Sequence, residues 1–422
     1  MHRLLLLLRL AFRNVRRQAR RSVLTAAAMV LGLALLVFSR AIGDGAHETW
    51  IEAALRLGSG HIAVQHPDYL PRRVIEDRLV GAAVAAALAA LADSGIAPFV
   101  AAAAPRLEIR GLASSPRGAV PVVAYGVDPA VEDAFSDLGR RLTAGRPLEP
   151  GDRLAAYVGE GLARRLHLEV GSRLVLTAQA ADSSMAGQLV RIVGTFRSGV
   201  PEVDDGMLQL PLATAQQWVG IGDDVSIVAI LLHSSYDVPL VLAALRATLA
   251  GAPAPLAVLS WRETTPELDS AIRIDDYGNY VFNGVLLLIV ALAIVNTVLM
   301  AVLGRTREFG IVRALGLRRR DVAGLVLLEG TLLTLLAGVV GLVIGIGGTW
   351  LFFRNGLDWS ALVDTEMTAA GAVIDPVTIP RFRMAHITDS VILVVLIGIT
   401  ASLYPAWRAT RIAVAEAMKF EG

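Results

Sequence analysis

Apolar residues gather into four long runs, at residues 22–42, 281–303, 325–353 and 391–404. A run of roughly 18 or more apolar residues is long enough to cross a bilayer as a helix. The last run reaches that length only with a few residues added at each end, and the third is long enough to tilt or to project from the bilayer. The pattern predicts spans at 22–43, 278–304, 322–353 and 388–407, and a large insertion, 44–277, between the first two. Inside the insertion the pattern shortens. Strands are predicted at 61–65, 106–110, 120–125, 173–177, 189–196 and 226–232, each partly β-branched and bounded by Gly, Pro, Asp or Ser. Helices are predicted at 82–91, 161–166 and 240–249, the last opened by Pro239. Residues 129–148, rich in Gly, Asp and Arg, read as a connection, so the insertion is one large domain or two lobes. There is no internal repeat. The fold class is an α-helical membrane protein with four transmembrane helices and a large mixed α/β domain between helices 1 and 2.

Charge orients these spans. Arginines cluster at 3–21, at 305–320 and at 408–411, each beside the end of an apolar run. Positive residues near membrane ends mark the cytoplasmic side. Both termini (1–21 and 408–422) and the loop 305–321 are therefore expected inside, with 44–277 and the short loop 354–387 outside. Leu4–Leu8 is short for a signal-peptide core and more arginines follow it, so 1–21 is expected to be an amphipathic interfacial helix. Arg40 falls at the outer end of the first span, where it can snorkel to the interface.

The composition fits a membrane protein: 55% hydrophobic and 18% charged residues, with mean hydropathy +0.58. The net charge of +1 hides basic membrane edges and acidic stretches at 201–205 and 263–276. Topology accounts for the basic clusters, so no nucleic-acid partner is expected. Cysteine is absent, which excludes disulfides and thiolate chemistry. None of the seven histidines forms a closely spaced ligand pair with a carboxylate base, so no metal site is expected. There is no Gly-x-Ser-x-Gly elbow and no phosphate-binding loop with its lysine. The chain is not expected to be an enzyme.

The loop 305–321 is the most specific string. Ile311, Val312 and Leu315 share one helical face, with Glu308 near it, while Gly310 and Gly316 weaken the helix. Such a helix suits docking in a groove of another protein, and a solvated loop whose arginines only set topology has the same composition. Glu329 lies just inside the third span. A carboxylate there is costly and calls for a partner, from the arginines of 305–320 or of the N-terminus, in a functional or a purely structural pair. Gly341 and Gly345 permit close helix approach, to the first span, across a dimer, or in generic packing.

The string Arg305, Arg307, Glu308, Phe309, Gly310, Ile311, Arg313, Ala314, Leu315, Gly316, followed by Leu328, Glu329, Gly330, resembles the signature of the MacB/FtsX-type ABC transporter permeases. The endings Tyr404, Pro405, Ala406 and 414–418 are similar to the family's C-terminus, and 10–25 to its opening. Residues 158–163, 193–196 and 210–212 are similar to its MacB-like periplasmic core domain. The architecture resembles that of lipoprotein-releasing system transmembrane subunits. The resemblance implies a bacterial inner-membrane permease, dimeric with an identical or paralogous second permease subunit and served by two cytoplasmic ABC ATPase subunits. It implies that Glu308, Phe309, Ile311, Val312, Arg313, Ala314 and Leu315 contact the ATPase as a coupling helix. ATP and Mg would be bound by that partner, with no cofactor in this chain. The macrolide-exporter branch carries its ATPase on the same polypeptide; here the first span begins at residue 22, so a separate ATPase is expected.

The string 58–65 also resembles lipoprotein-releasing permeases, which implies extraction of lipoproteins from the inner membrane by ATP-driven movement of the outer domain. Val37, Phe38, Ile42, Tyr280 and Phe282 are candidates for contact with the acyl chains of substrate or with membrane lipid, and ordinary lipid exposure or helix packing uses the same residue types. The alternatives are efflux of a peptide or drug with an adaptor and outer-membrane channel, or a non-transporting scaffold that activates a cell-wall hydrolase.

Overall fold

The computed structural model describes residues 19–411 apart from Leu57, Ser94, Pro253, Leu315, Leu317 and residues 359–367, 370–371 and 374–376. The interfacial helix expected in 1–18 and the tail 412–422 lie outside the described residues. The chain divides into two compact units, one of Met1–His47, Ile274–Trp359 and Val377–Gly422, the other of Glu48–Arg273 with Ser360–Pro376.

The first unit is built on four helices long and apolar enough to cross a membrane, within Ala19–Leu55, Pro266–Leu303, Arg319–Phe353 and Met384–Thr410. Each contains a span read from the apolar runs and continues past it. The first two, of 37 and 38 residues, are about 55 Å long against a hydrocarbon thickness of about 30 Å. Small residues set the packing. A Cβ on Gly345 would stand 3.0 Å from Ala34 Cα and 3.1 Å from Val37 Cβ, and one on Gly341 3.0 Å from the Val30 carbonyl oxygen. These two glycines therefore seat the third helix on the first. Gly330 faces Ser402 and Gly398 faces Thr334 in the same way, which closes the third helix on the fourth. The opposite faces carry exposed Leu31, Leu288, Val339, Val343 and Leu396, as a lipid-facing surface requires.

The second unit is built on a ten-stranded sheet: β1 (Ile62–Gln65), β2 (Val100–Ser115), β3 (Gly118–Val127), β4 (Leu142–Gly145), β5 (Ala155–Gly159), β6 (Arg173–Gln179), β7 (Met185–Phe196), β8 (Met207–Pro211), β9 (Ile227–Leu232) and β10 (Ala257–Ser260). Their order is β10-β1-β9-β2-β3-β8-β5-β7-β4, with β6 paired to β2 and β7. The parallel pairs β3–β8 and β5–β7 sit among antiparallel ones. Strands β1 and β9 are buried at every position, in keeping with the unbroken apolar sequence of β9 and of β1 up to Gln65. Gly60 turns the chain into β1 with φ +68, and a Cβ there would lie 2.6 Å from the Ile230 carbonyl oxygen, so glycine is required on both counts.

Two large cores lie in this unit, beside smaller clusters around Phe135 and Tyr157. In one, the helices Gly81–Leu91 and Val238–Leu249 bring Val84, Ala87, Leu91, Val241 and Leu245 onto Ile62, Val64, Val228 and Ile230. In the other, Trp218 and Val219 of the helix Leu212–Val219 join Leu107, Ile109, Val158, Leu176, Ile192 and Leu208. Strand β2 serves both. Its first part pairs with β9 through Arg106, and from Leu107 onward it pairs with β3 and β6.

Residues 129–148, read as a connection, are instead integral to the unit. Pro129–Phe135 is a helix started by Asp128, whose side chain accepts from the Ala130 N–H, and β4 pairs with β7. Glu132 from that helix accepts 2.7 Å hydrogen bonds from Arg106 on β2 and from Gln209 on β8, and the Arg106 guanidinium lies 4.2 Å over the Phe135 ring. Polar and glycine-rich composition hid a segment that supplies the buried partner of a buried arginine.

Candidate functional site

The second membrane helix stops at Leu303, Gly304 and Arg305 form the turn, and Thr306–Ala314 is a short helix ended by Gly316 at φ +99. Arg305 organises this loop. It is 7% exposed. Its Nε donates to Glu308 Oε2 at 2.9 Å, and its Nη1 donates to both oxygens of Glu329 at 3.2 and 3.0 Å. The guanidinium also lies 5.4 Å from the centre of the Phe309 ring. Glu329 thus finds its partner within the loop. A buried pair of this kind adds little by itself, but removing one member strands the other, at about 3–5 kcal/mol.

Phe309 was expected on the surface offered to an ATPase. The structure buries it, with 3% exposed, among Val302, Val322, Leu325, Val326, Ala406 and Ala409 at the converging ends of the second, third and fourth helices. Its burial ties the loop to the bundle. Arg307, Glu308, Ile311 and Ala314 are exposed and Arg313 is half-buried. The side chain of Val312 and all of Leu315 lie outside the described residues. The arrangement is a short helix fixed on its inner side by one aromatic ring and one ion-pair cluster, with a mixed polar and apolar outer side.

The candidates for lipid contact separate. Val37 is buried against Gly345 and is not available to lipid, because the glycine draws the first helix onto the third. Phe38 and Ile42 are half-buried, Phe38 with its ring 5.0 Å from that of Phe353. Tyr280 and Phe282 are 61% and 53% exposed on the second helix.

Among the described residues, His66, Asp68 and Asp77 bring donor atoms within 4.8 Å of one another. Arg72 already donates to Asp77 at 2.6 Å and supplies the positive charge a metal ion would bring. His61 is fully buried beside β9, where its Nδ1 accepts from the Leu232 N–H at 3.1 Å. Burial, helped by the charge of Arg56, lowers its pKa to about 4 and keeps it neutral.

Sequence reasoning grouped the loop arginines without singling out Arg305. The available signal was its position: it is the first charge after the second span, where a side chain can still turn back into the helix bundle.

Residues 22–248 match the family model of the MacB-like periplasmic core domain, and residues 280–414 that of the FtsX-like permease C-terminal domain. The chain is 25% identical over 337 residues to the lipoprotein-releasing system transmembrane protein LolC of Xylella fastidiosa, covering 77% of this chain and 79% of that one. It is 25% identical over 305 residues to the LolC protein of Neisseria meningitidis serogroup B, covering 70% and 72%. To the macrolide export ATP-binding/permease protein MacB of Bdellovibrio bacteriovorus it is 31% identical over 135 residues, 32% of this chain and 18% of that one. With a family model over its first half, a second over its C-terminal third and four apolar helices around a mixed α/β domain, the chain belongs to the MacB/FtsX-type ABC transporter permeases, as a permease subunit of the LolC/MacB kind.

Proposed function

We propose that this permease takes its energy from separate cytoplasmic ATPase subunits and uses it to extract lipoproteins from the inner membrane of a bacterium, its α/β domain lying in the periplasm. ATP and Mg are held by the ATPase, and none of the chemistry of hydrolysis falls to this chain. Arg307, Glu308, Ile311 and Ala314 meet the ATPase, and a second permease subunit, identical or paralogous, completes the transporter. The observation that carries the coupling step is the anchoring of the loop helix: Arg305 ties it to Glu329, and Phe309 ties it to the ends of three membrane helices. Closure of the ATPase pair then moves membrane helices rather than a flexible loop.

Lipoprotein is favoured over a drug or peptide by the extent of the likeness. The match to the LolC proteins runs through 77% of this chain, whereas that to the MacB protein covers 32%. Tyr280 and Phe282 offer exposed aromatic surface for an acyl chain arriving from the bilayer.

The test has two parts. Ile311→Asp is expected to abolish co-purification of the ATPase while the detergent-solubilised chain keeps its melting temperature; retained ATPase refutes the assigned contact. Photo-crosslinkers at positions 280 and 282 are then expected to capture acylated lipoprotein in cells. Adducts with a secreted peptide instead would assign the chain to efflux.

A further inference from the structure

At the boundary of the helix bundle opposite the Arg305 loop, the first membrane helix, the start of the fourth and the residues just before it line a small half-open cavity between Arg40, Asp44, Arg381, Arg383 and His386. Among its described lining residues, Arg40 and Arg381 stand beside a single carboxylate. That carboxylate, Asp44, is buried and already bonded to His386 Nδ1 at 2.8 Å. Arg40 Nε is buried and has no hydrogen-bond partner among the described residues. A buried guanidinium nitrogen without an acceptor is rare and calls for one. The fourth helix also begins here, at Met384, with a cap residue, Arg383, whose side chain offers no acceptor to the first-turn N–H groups. A helix start adds partial positive charge to that of the arginines. The lining also includes the apolar side chains of Val37, Ala41, Phe382 and Ile387.

We propose that this cavity binds the phosphate of a membrane phospholipid, with Arg40 and Arg381 as its principal donors. A phosphate ester supplies the acceptor that Arg40 Nε lacks and a negative charge beside Arg40 and Arg381, and arginine suits it because the guanidinium donates along two directions at once. Position selects the lipid over a free ion. The site lies where the apolar run of the first span ends, and its lining mixes arginines with apolar side chains, which suits a phosphate joined to apolar chains. The site is separate from the cargo contact proposed at Tyr280 and Phe282. An acylated lipoprotein anchor bears no phosphate, so the cavity holds a resident lipid rather than cargo.

The test uses the full-length chain, delipidated in detergent and titrated with phosphatidylglycerol under native mass spectrometry. One saturable lipid is expected, with affinity weakened about tenfold or more in Arg40→Gln and again in the double variant R40Q/R381Q. Arg40→Lys, which keeps the charge, is expected to lose less than R40Q, and Arg408→Gln at the far end of the fourth helix to change nothing. Arg381 is exposed, so Arg381→Gln alone keeps the test valid if the Arg40 variants fold poorly. Diacylglycerol, with the same tails and no phosphate, is expected not to compete. Equal binding by wild type and R40Q/R381Q, or equal competition by diacylglycerol, overturns the site. Displacement by inorganic phosphate at the same concentration as the lipid overturns the assignment to lipid.

Discussion

Replacing Arg305 with methionine tests the loop anchor most directly. Methionine keeps most of the apolar stem and removes the guanidinium. Glu329, whose side chain is 15% exposed, then loses the donor that contacts both its oxygens at 3.0 and 3.2 Å. At that separation and an effective dielectric constant of about 20, the lost attraction is about 5 kcal/mol. Desolvation of both groups offsets part of the attraction in the intact pair, and truncating one partner of such a pair costs about 3–5 kcal/mol. Most of that cost falls on the attachment of the loop helix, because Glu308 and the Phe309 ring depend on the same guanidinium. Local opening of residues 306–314 should rise by two to three decades, at about 1.4 kcal/mol per decade. Hydrogen exchange followed by mass spectrometry reads this on peptides covering 303–314. The double variant R305M/E329Q removes the stranded charge, so its opening should be far smaller than the sum of the single effects, leaving a coupling energy of about 2 kcal/mol or more. Exchange in R305M within threefold of wild type would refute the reasoning, as would strict additivity in the double variant.

Two further outcomes follow from other parts of the structure. Because burial depresses the His61 pKa to about 4 from 6.5, the unfolded chain binds this proton more readily than the folded one between those values. His61 therefore contributes its full stability above pH 6.5 and loses it as pH falls toward 4, by at most about 3 kcal/mol; melting curves of wild type and His61→Gln should converge on acidification, and parallel curves would show that His61 does not titrate in this range. In the membrane helices, Gly345→Leu should destabilise by about 1–3 kcal/mol, because Ala34 and Val37 occupy the space around its Cβ, whereas Gly347→Leu, with nothing within 4 Å, should be near neutral. Equal melting temperatures for the two variants in detergent would mean that the first and third helices do not pack as described.

The membrane helices were legible because length and apolarity alone decide them, and six of the ten outer strands because their flanking Gly, Pro and Asp punctuate them. Strands β4, β5, β8 and β10 were not read. Ala155–Gly159 and Met207–Pro211 hold one β-branched residue between them, Val158, so neither shows the composition that marks a strand. The segment 129–148 was misread because its arginines and glycines have the composition of a linker, and only the tertiary structure reveals that Glu132 answers Arg106. In the loop, helical periodicity grouped Ile311, Val312 and Leu315 on one side, but it could not tell that Phe309 turns inward. That depends on the ends of helices distant in sequence, as does the choice of Arg305 for Glu329.

Strand β2 has a mechanical consequence. One unbroken strand carries its pairing with β9 as far as Arg106 and its pairing with β3 and β6 from Leu107 onward. The two cores of the outer domain thus share a beam rather than a joint, and residues 129–148 supply no swivel between them. A pull along β2 loads its hydrogen bonds in shear, so several must fail together, and none can be unzipped in turn. A load that would swing two hinged lobes apart is borne here by the domain as one stiff body.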